Sequence, residues 1–130
     1  MTETEKYLDL YAQTVFGHAP FPAGWTARFW IITAYPPTGE AAPSAARLAE
    51  LDAALVDALR AEGADALHPV TGGSPDGAHA EPGWAAALST EAALRLGRQF
   101  RQVAIFRVEA GRLAVVDCET GRVFELARGM

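Results

Sequence analysis

The chain has 130 residues, half of them apolar, and a formal net charge of −5. This length suits a single domain with its own core, and the apolar fraction excludes a chain that is disordered throughout. The acidic balance argues against non-specific binding to nucleic acid. With one cysteine, Cys118, neither a disulfide framework nor a cysteine-based zinc site is expected.

No apolar run is long enough to span a membrane, and the charged first residues are unlike a signal peptide. We therefore expect a cytoplasmic protein with no membrane or nucleic-acid partner. Residues 1–130 should form one domain, in which residues 1–25 are an N-terminal helix and a connection rich in Pro and Gly.

The first predicted elements are a helix over residues 3–16 and a strand over residues 26–35. Thr2 and Glu5 have the spacing of a capping box at the start of the helix. The strand, "TARFWIITAY", is rich in aromatic and β-branched residues and is apolar on both faces. A strand of this kind is typically central in its sheet, with both faces covered.

The remaining elements alternate between helices and strands. Leucines recur at helical spacing over 44–62, with Ser44 as the N-cap and Gly63 just past the end. Short strands are predicted at 66–70 and 83–88, and a second helix at 89–100. Three strands joined by tight glycine-containing links close the chain. These patterns predict an α+β domain of two or three layers with a mixed sheet, the order α-β-α-β-β-α-β-β-β and a C-terminal antiparallel meander.

The candidate chemistry lies in a glycine-rich segment between the two short strands. Its glycines allow close backbone approach, and exposed N–H groups in such a turn can hold an anion, although Ser-Pro-Asp-Gly is also typical of a plain turn. Asp76, His79 and Glu81 are residue types that bind metals, but their spacing matches no established motif. We expect no bound metal and no cofactor. Glu81 is a candidate general base if burial raises its pKa.

Three further residues are candidates for the same site. Thr33 and Tyr35 share a face at the carboxyl end of the central strand, and Gln102 begins an apolar strand. We predict that the 72–83 loop packs beside Tyr35 and encloses a polar pocket. The predicted ligand-binding residues are Thr33, Tyr35, Gly73, Ser74, Asp76, His79, Glu81 and Gln102.

A small-ligand-binding module is the preferred interpretation of this pocket. One alternative is an enzyme that uses Asp76, His79 or Glu81 as acid, base or metal ligand. Another is a protein-interaction domain with no small-molecule site. The identity of the ligand, catalytic activity and the oligomeric state stay open at this point.

Four segments in order, "FWIITAYPP", "GGSPDGAHAEPGW", "RQFRQVAIF" and "GRLAVVDC", resemble the bacterial DUF3293 family, a domain of no known function. The resemblance covers roughly residues 26–118 and implies a cytoplasmic α/β domain without supplying a reaction. The chain departs from the family pattern at three places. Family members commonly have Asn-Pro at Pro36-Pro37, asparagines near Ala45–Arg47, and Phe-Gly-Gln at Phe100–Gln102.

Overall fold

A seven-stranded sheet organises the fold in the computed structural model, which describes residues 1–37 and 40–130. The strands lie in the order β1-β3-β4-β2-β5-β6-β7. Their bounds are β1 Val15–Gly17, β2 Arg28–Thr33, β3 Leu67–Gly73, β4 Ala80–Ala86, β5 Ala104–Glu109, β6 Arg112–Asp117 and β7 Val123–Gly129. The helices are α1 Glu3–Lys6, α2 Leu8–Ala12, α3 Ala45–Ala61 and α4 Thr90–Gln99.

Strand β2 is the centre of the sheet, between β4 and β5. Trp30 and Ile32 belong to a core cluster on one face, and Phe29 and Ile31 to a cluster on the other. All four are at most 6% exposed. This arrangement confirms the prediction of a central strand covered on both faces.

Helices α3 and α4 cover the face that carries Trp30. Each begins at a serine N-cap: Ser44 Oγ accepts from the N–H of Arg47, and Ser89 Oγ accepts from the N–H of Ala92. On α3, Leu55 and Leu59 are fully buried. Gly63 follows α3 with a positive φ of 91°, which glycine adopts without strain.

The opposite face is covered by the N-terminal part of the chain. Thr4 on α1 is fully buried, and its hydroxyl donates to Asp117 Oδ2 on β6 at 2.5 Å. Arg128 on β7 donates to the carbonyls of Ala12 and Thr14, which lie just before β1. These contacts bring the two edges of the curled sheet towards each other, with α1 and α2 held on this face.

The α+β class and the C-terminal meander of β5, β6 and β7 are confirmed. Two details differ. Every strand pair among the described residues is antiparallel, so the predicted mixed sheet is wrong. The predicted helix over 3–16 is broken after α1, and its last residues form the edge strand β1, because Val15 pairs with Gly73 of β3.

The glycine-rich segment is also shorter as a loop than predicted. Strand β3 continues to Gly73 and β4 begins at Ala80, so residues 74–79 alone turn the chain. Both strands therefore extend further towards the turn than predicted. Once the apolar residues set the register, the pairing continues over the polar and glycine residues that follow. In the described part of the chain, no helix is both long and apolar enough to cross a bilayer.

Candidate functional site

The backbone N–H groups in the turn of the β3–β4 hairpin donate hydrogen bonds to acceptors within the turn itself. The N–H of Ser74 donates to His79 O at 2.9 Å, and the N–H of Gly77 donates to Ser74 O at 3.0 Å. The N–H groups of Ala78 and His79 donate to Asp76 Oδ1 and Ser74 Oγ, each at 3.0 Å. Because these donors already have partners, the interpretation of the turn as an anion cradle is not supported.

The side chain of Asp76 accepts hydrogen bonds that stabilise this turn. Its Oδ1 accepts from Ser74 Oγ at 2.6 Å as well as from Ala78. The hydrogen bond from Ser74, followed by that from Ala78, lowers the pKa of Asp76 below its ordinary value. Asp76 does not line any of the three cavities described below.

A cavity of about 500 Å³ opens between helix α2 and the β3–β4 hairpin, and we call it the cleft. Leu10 and Tyr11 line it from α2, and Glu81 lines it from β4. Further lining residues are Tyr35, Pro36, Pro37, Glu40, Ala42, Gly73, Ser74 and His79. The cleft is therefore built from three separate parts of the chain.

Two smaller cavities, of about 90 and 270 Å³, adjoin the cleft. We call the cleft and these two cavities together the depression. Tyr11 and Glu81 line all three cavities, so these two residues mark its centre. Of the predicted site residues, Tyr35, Gly73, Ser74, His79 and Glu81 line the cleft, and Thr33 and Gln102 line the adjoining space. Their role in binding stays a prediction.

The hairpin packs beside the end of the central strand, as predicted. The rings of Tyr35 and His79 meet edge to face, with centroids 5.2 Å apart. Gln102 Nε2 donates to the carbonyl of Tyr35 at 2.8 Å and to that of Phe100 at 3.0 Å. Thr33 Oγ1 donates to the carbonyl of Pro82 at 2.6 Å. The bond from Thr33 fixes the strand end to the hairpin, and the bonds from Gln102 fix it to the segment that follows α4.

Glu81 is the carboxylate at the centre of the depression. Its side chain is 32% exposed, and Oε1 lies 3.2 Å from His79 Nε2. Burial raises the pKa of Glu81, and the hydrogen bond from His79 opposes this only in part. Mainly through burial, with the charge of Glu81 as a smaller cause, the pKa of Tyr11 is raised to about 12. The phenol of Tyr11 therefore keeps its proton at neutral pH and can donate it in a hydrogen bond.

His79 and Glu81 are close enough to act as a pair, whereas Asp76 is engaged in the turn. Among residues 1–37 and 40–130, no three His, Cys, Asp or Glu side chains come together in a way that could hold a metal ion. The arrangement therefore offers an acid–base pair and two phenols around a largely apolar cleft.

Sequence reasoning missed Tyr11, Leu10 and Glu40 as lining residues. Tyr11 lies inside the helix predicted over residues 3–16, where it recurs at helical spacing with Tyr7 and Val15, and no role in the site was predicted for it. The available indication was that Tyr7 and Tyr11, one helical turn apart, place two hydroxyl groups on the same face of that helix. The packing of α2 against the sheet brings Tyr11 to Phe106 on β5, at 6.1 Å between ring centroids, and into the cleft that it lines together with Glu81 of the hairpin.

The fold and cleft define an α+β domain with a depression on one face of an antiparallel sheet, in which a few polar groups lie between apolar walls. Residues 32–105, more than half of the chain, match the family described as "Protein of unknown function (DUF3293)", and the chain belongs to this family. The matched region begins in β2 and ends in β5, so it includes the hairpin but not α2. No curated protein and no solved structure matches the chain significantly.

Proposed function

We propose that the protein binds a small organic molecule in the cleft. The observation that carries the proposal is the cavity of about 500 Å³ on which Tyr11, Tyr35, His79 and Glu81 converge. Its volume lies within the range of about 300–1,000 Å³ that is usual for ligand sites, which combine apolar walls with a few polar groups. A domain that bound only other proteins would not need such a cleft. The family resemblance supports a bacterial, cytoplasmic setting for this function.

The walls of the cleft are held by bonds that do not depend on a ligand. Gln102 and Thr33 bond the backbone of Tyr35 and Pro82. Thr4 anchors the N-terminal helices to Asp117. A site that is already ordered loses little conformational entropy on binding, and this favours affinity.

A second candidate function is acid–base catalysis by Glu81 and His79. The observation that favours it is their contact of 3.2 Å within the cleft, together with the raised pKa of Glu81. A carboxyl group whose pKa is raised towards neutrality suits proton transfer near neutral pH. If a compound bound in the cleft is converted to product over time, and Glu81→Gln abolishes that conversion, catalysis is the function.

Fragment screening by NMR tests the binding function. Ala42 lines the cleft and is exposed, so Ala42→Trp should block it with little effect on folding. Ala41 is also exposed but does not line the cleft, so Ala41→Trp is the matched control. We expect fragments to perturb the amide signals of the hairpin and α2 in the wild type and in Ala41→Trp but not in Ala42→Trp. Finding no fragment that binds there, or equal binding to Ala42→Trp, would contradict the proposal.

A further inference from the structure

We propose that the cleft selects an organic cation: a primary amine carried on an apolar or aromatic group, with its ammonium at the carboxylate of Glu81. This inference rests on the proposed function, because it names the class of ligand for the same cleft. Charge, hydrogen-bonding capacity and the aromatic lining each support it.

The charge of the depression is negative. Glu40 and Glu81 line the cleft and Glu3 lines an adjoining cavity, while no Lys or Arg of the described residues lines any of the three. Glu40 has a cationic partner, since Arg101 Nη2 lies 2.6 Å from its Oε2. Among the residues that the structure describes, Glu81 has the imidazole of His79 as its one ionic partner. Of the two carboxylates in the cleft itself, Glu81 is therefore the less compensated one, and a cation should bind there.

The carboxylate of Glu81 has hydrogen-bonding capacity to spare. An ionised carboxylate offers about four lone-pair sites. His79 contacts one of its oxygens, Oε1. An ammonium group donates three hydrogen bonds and can bond the free positions. Because Glu81 is two-thirds shielded from solvent, this charge-assisted bond should be stronger than one at the protein surface.

The walls suit the rest of such a molecule. Tyr11 and Tyr35 bring two aromatic rings to the cleft, and Leu10, Pro36 and Pro37 add apolar surface. Aromatic faces attract cations, and apolar walls bury the carbon skeleton that carries the amine.

An anionic ligand fits the same site poorly. The turn amides of Ser74, Gly77, Ala78 and His79 have partners within the hairpin, so they do not form an anion-binding turn. A carboxylate or phosphate would also meet the less compensated charge of Glu81 in the cleft. The cleft should therefore discriminate by charge as well as by shape.

Three probes of similar shape test this selectivity: 2-phenylethylammonium, 2-phenylethanol and 3-phenylpropanoate. They share a phenyl ring and a two-carbon chain but end in a cation, a neutral hydroxyl and an anion. NMR titration of the wild-type chain should show the ammonium binding at least about tenfold more tightly than the alcohol, a difference of about 1.4 kcal/mol. The carboxylate should bind most weakly.

Two charge-removing variants complete the test. Glu81→Gln should weaken ammonium binding about tenfold or more, to the level of the alcohol, without changing alcohol binding. Glu50→Gln, which removes an exposed charge on α3, is the matched control and should leave both affinities unchanged. Alcohol binding as tight as that of the ammonium, or undiminished ammonium binding by Glu81→Gln, would overturn the inference.

The failure of this inference is distinguishable from failure of the proposed function. If the alcohol or the carboxylate binds in the cleft as well as the ammonium does, only the choice of ligand class is wrong. Absence of ammonium binding also overturns the inference, and the fragment screen with Ala42→Trp then decides whether the cleft binds other small molecules.

Discussion

Replacing Gly97 by alanine should destabilise the protein, although alanine is the better helix former. Gly97 lies in α4 and is buried against Ile105 on β5 and Cys118, the residue after β6. A Cβ at this position would lie 2.5 Å from Cys118 Sγ and 3.4 Å from Ile105 Cγ2. Cys118 is itself fully buried, so its sulfur cannot move aside without disturbing the core.

The expected magnitude is a balance of two effects. In a free helix interior, Gly→Ala stabilises by about 1 kcal/mol. Overpacking of a close-packed core costs about 1–3 kcal/mol, so Gly97→Ala should lower the free energy of unfolding by up to about 2 kcal/mol. In a Cys118→Ala background the sulfur is gone, and the nearest remaining atoms are Ile105 Cγ2 and Cys118 Cβ, at 3.4 and 3.6 Å. There the same substitution should be neutral or stabilising.

Urea denaturation of the wild type, the two single variants and the double variant measures this coupling. We expect an interaction energy of about 1–3 kcal/mol between the two positions, in the range found for residues in contact. If Gly97→Ala has the same effect in both backgrounds, within about 0.5 kcal/mol, the close approach of α4 to Cys118 described above is wrong.

Three further predictions concern stability. Ile31→Ala should lower the free energy of unfolding by about 2–5 kcal/mol, because Ile31 is buried at the centre of the sheet. A decrease below about 0.5 kcal/mol, measured by urea denaturation, would contradict this. Burial raises the pKa of Glu81 above 4.5, so the contribution of Glu81 to stability should be lost as the pH rises from 4.5 through its folded-state pKa. In thermal melts across that range, the stability of the wild type should therefore fall relative to that of Glu81→Gln. Burial alone would raise the pKa of Asp117, but hydrogen bonds, first from Thr4, hold this pKa below 3.8. The contribution of Asp117 to the free energy of unfolding should therefore be lost as the pH falls below 3.8, and acid titration should show a smaller loss of stability for Asp117→Asn than for the wild type.

The central strand, the two long helices and the C-terminal meander were predictable because each carries its own local pattern. Ser44 and Ser89 mark the starts of α3 and α4, and an apolar run on both faces marks β2. The edge strand β1 was not predictable, since three residues carry little periodicity. Its partner, β3, is more than fifty residues away in the chain, and this pairing overrides the helix predicted up to residue 16.

The candidate site was predictable only on the hairpin side. Glycine, serine and acidic residues between two apolar segments indicated a turn, and Tyr35 followed from the end of β2. The opposite wall depends on how α2 lies across the sheet, which is set by the contacts of Thr4 with Asp117 and of Arg128 with the carbonyls of Ala12 and Thr14. These contacts join residues more than 110 positions apart, and no local pattern specifies them.

Intermolecular NOEs between 2-phenylethylammonium and the isotope-labelled protein test the central claim most directly. Such NOEs arise only between protons that are in contact, so they locate the probe without reference to affinity. If the probe binds in the cleft, we expect NOEs from its phenyl protons to the rings of Tyr11 and Tyr35. NOEs confined to the opposite face of the sheet, for example to Trp84 beneath α3, with none to Tyr11 or Tyr35, would contradict it.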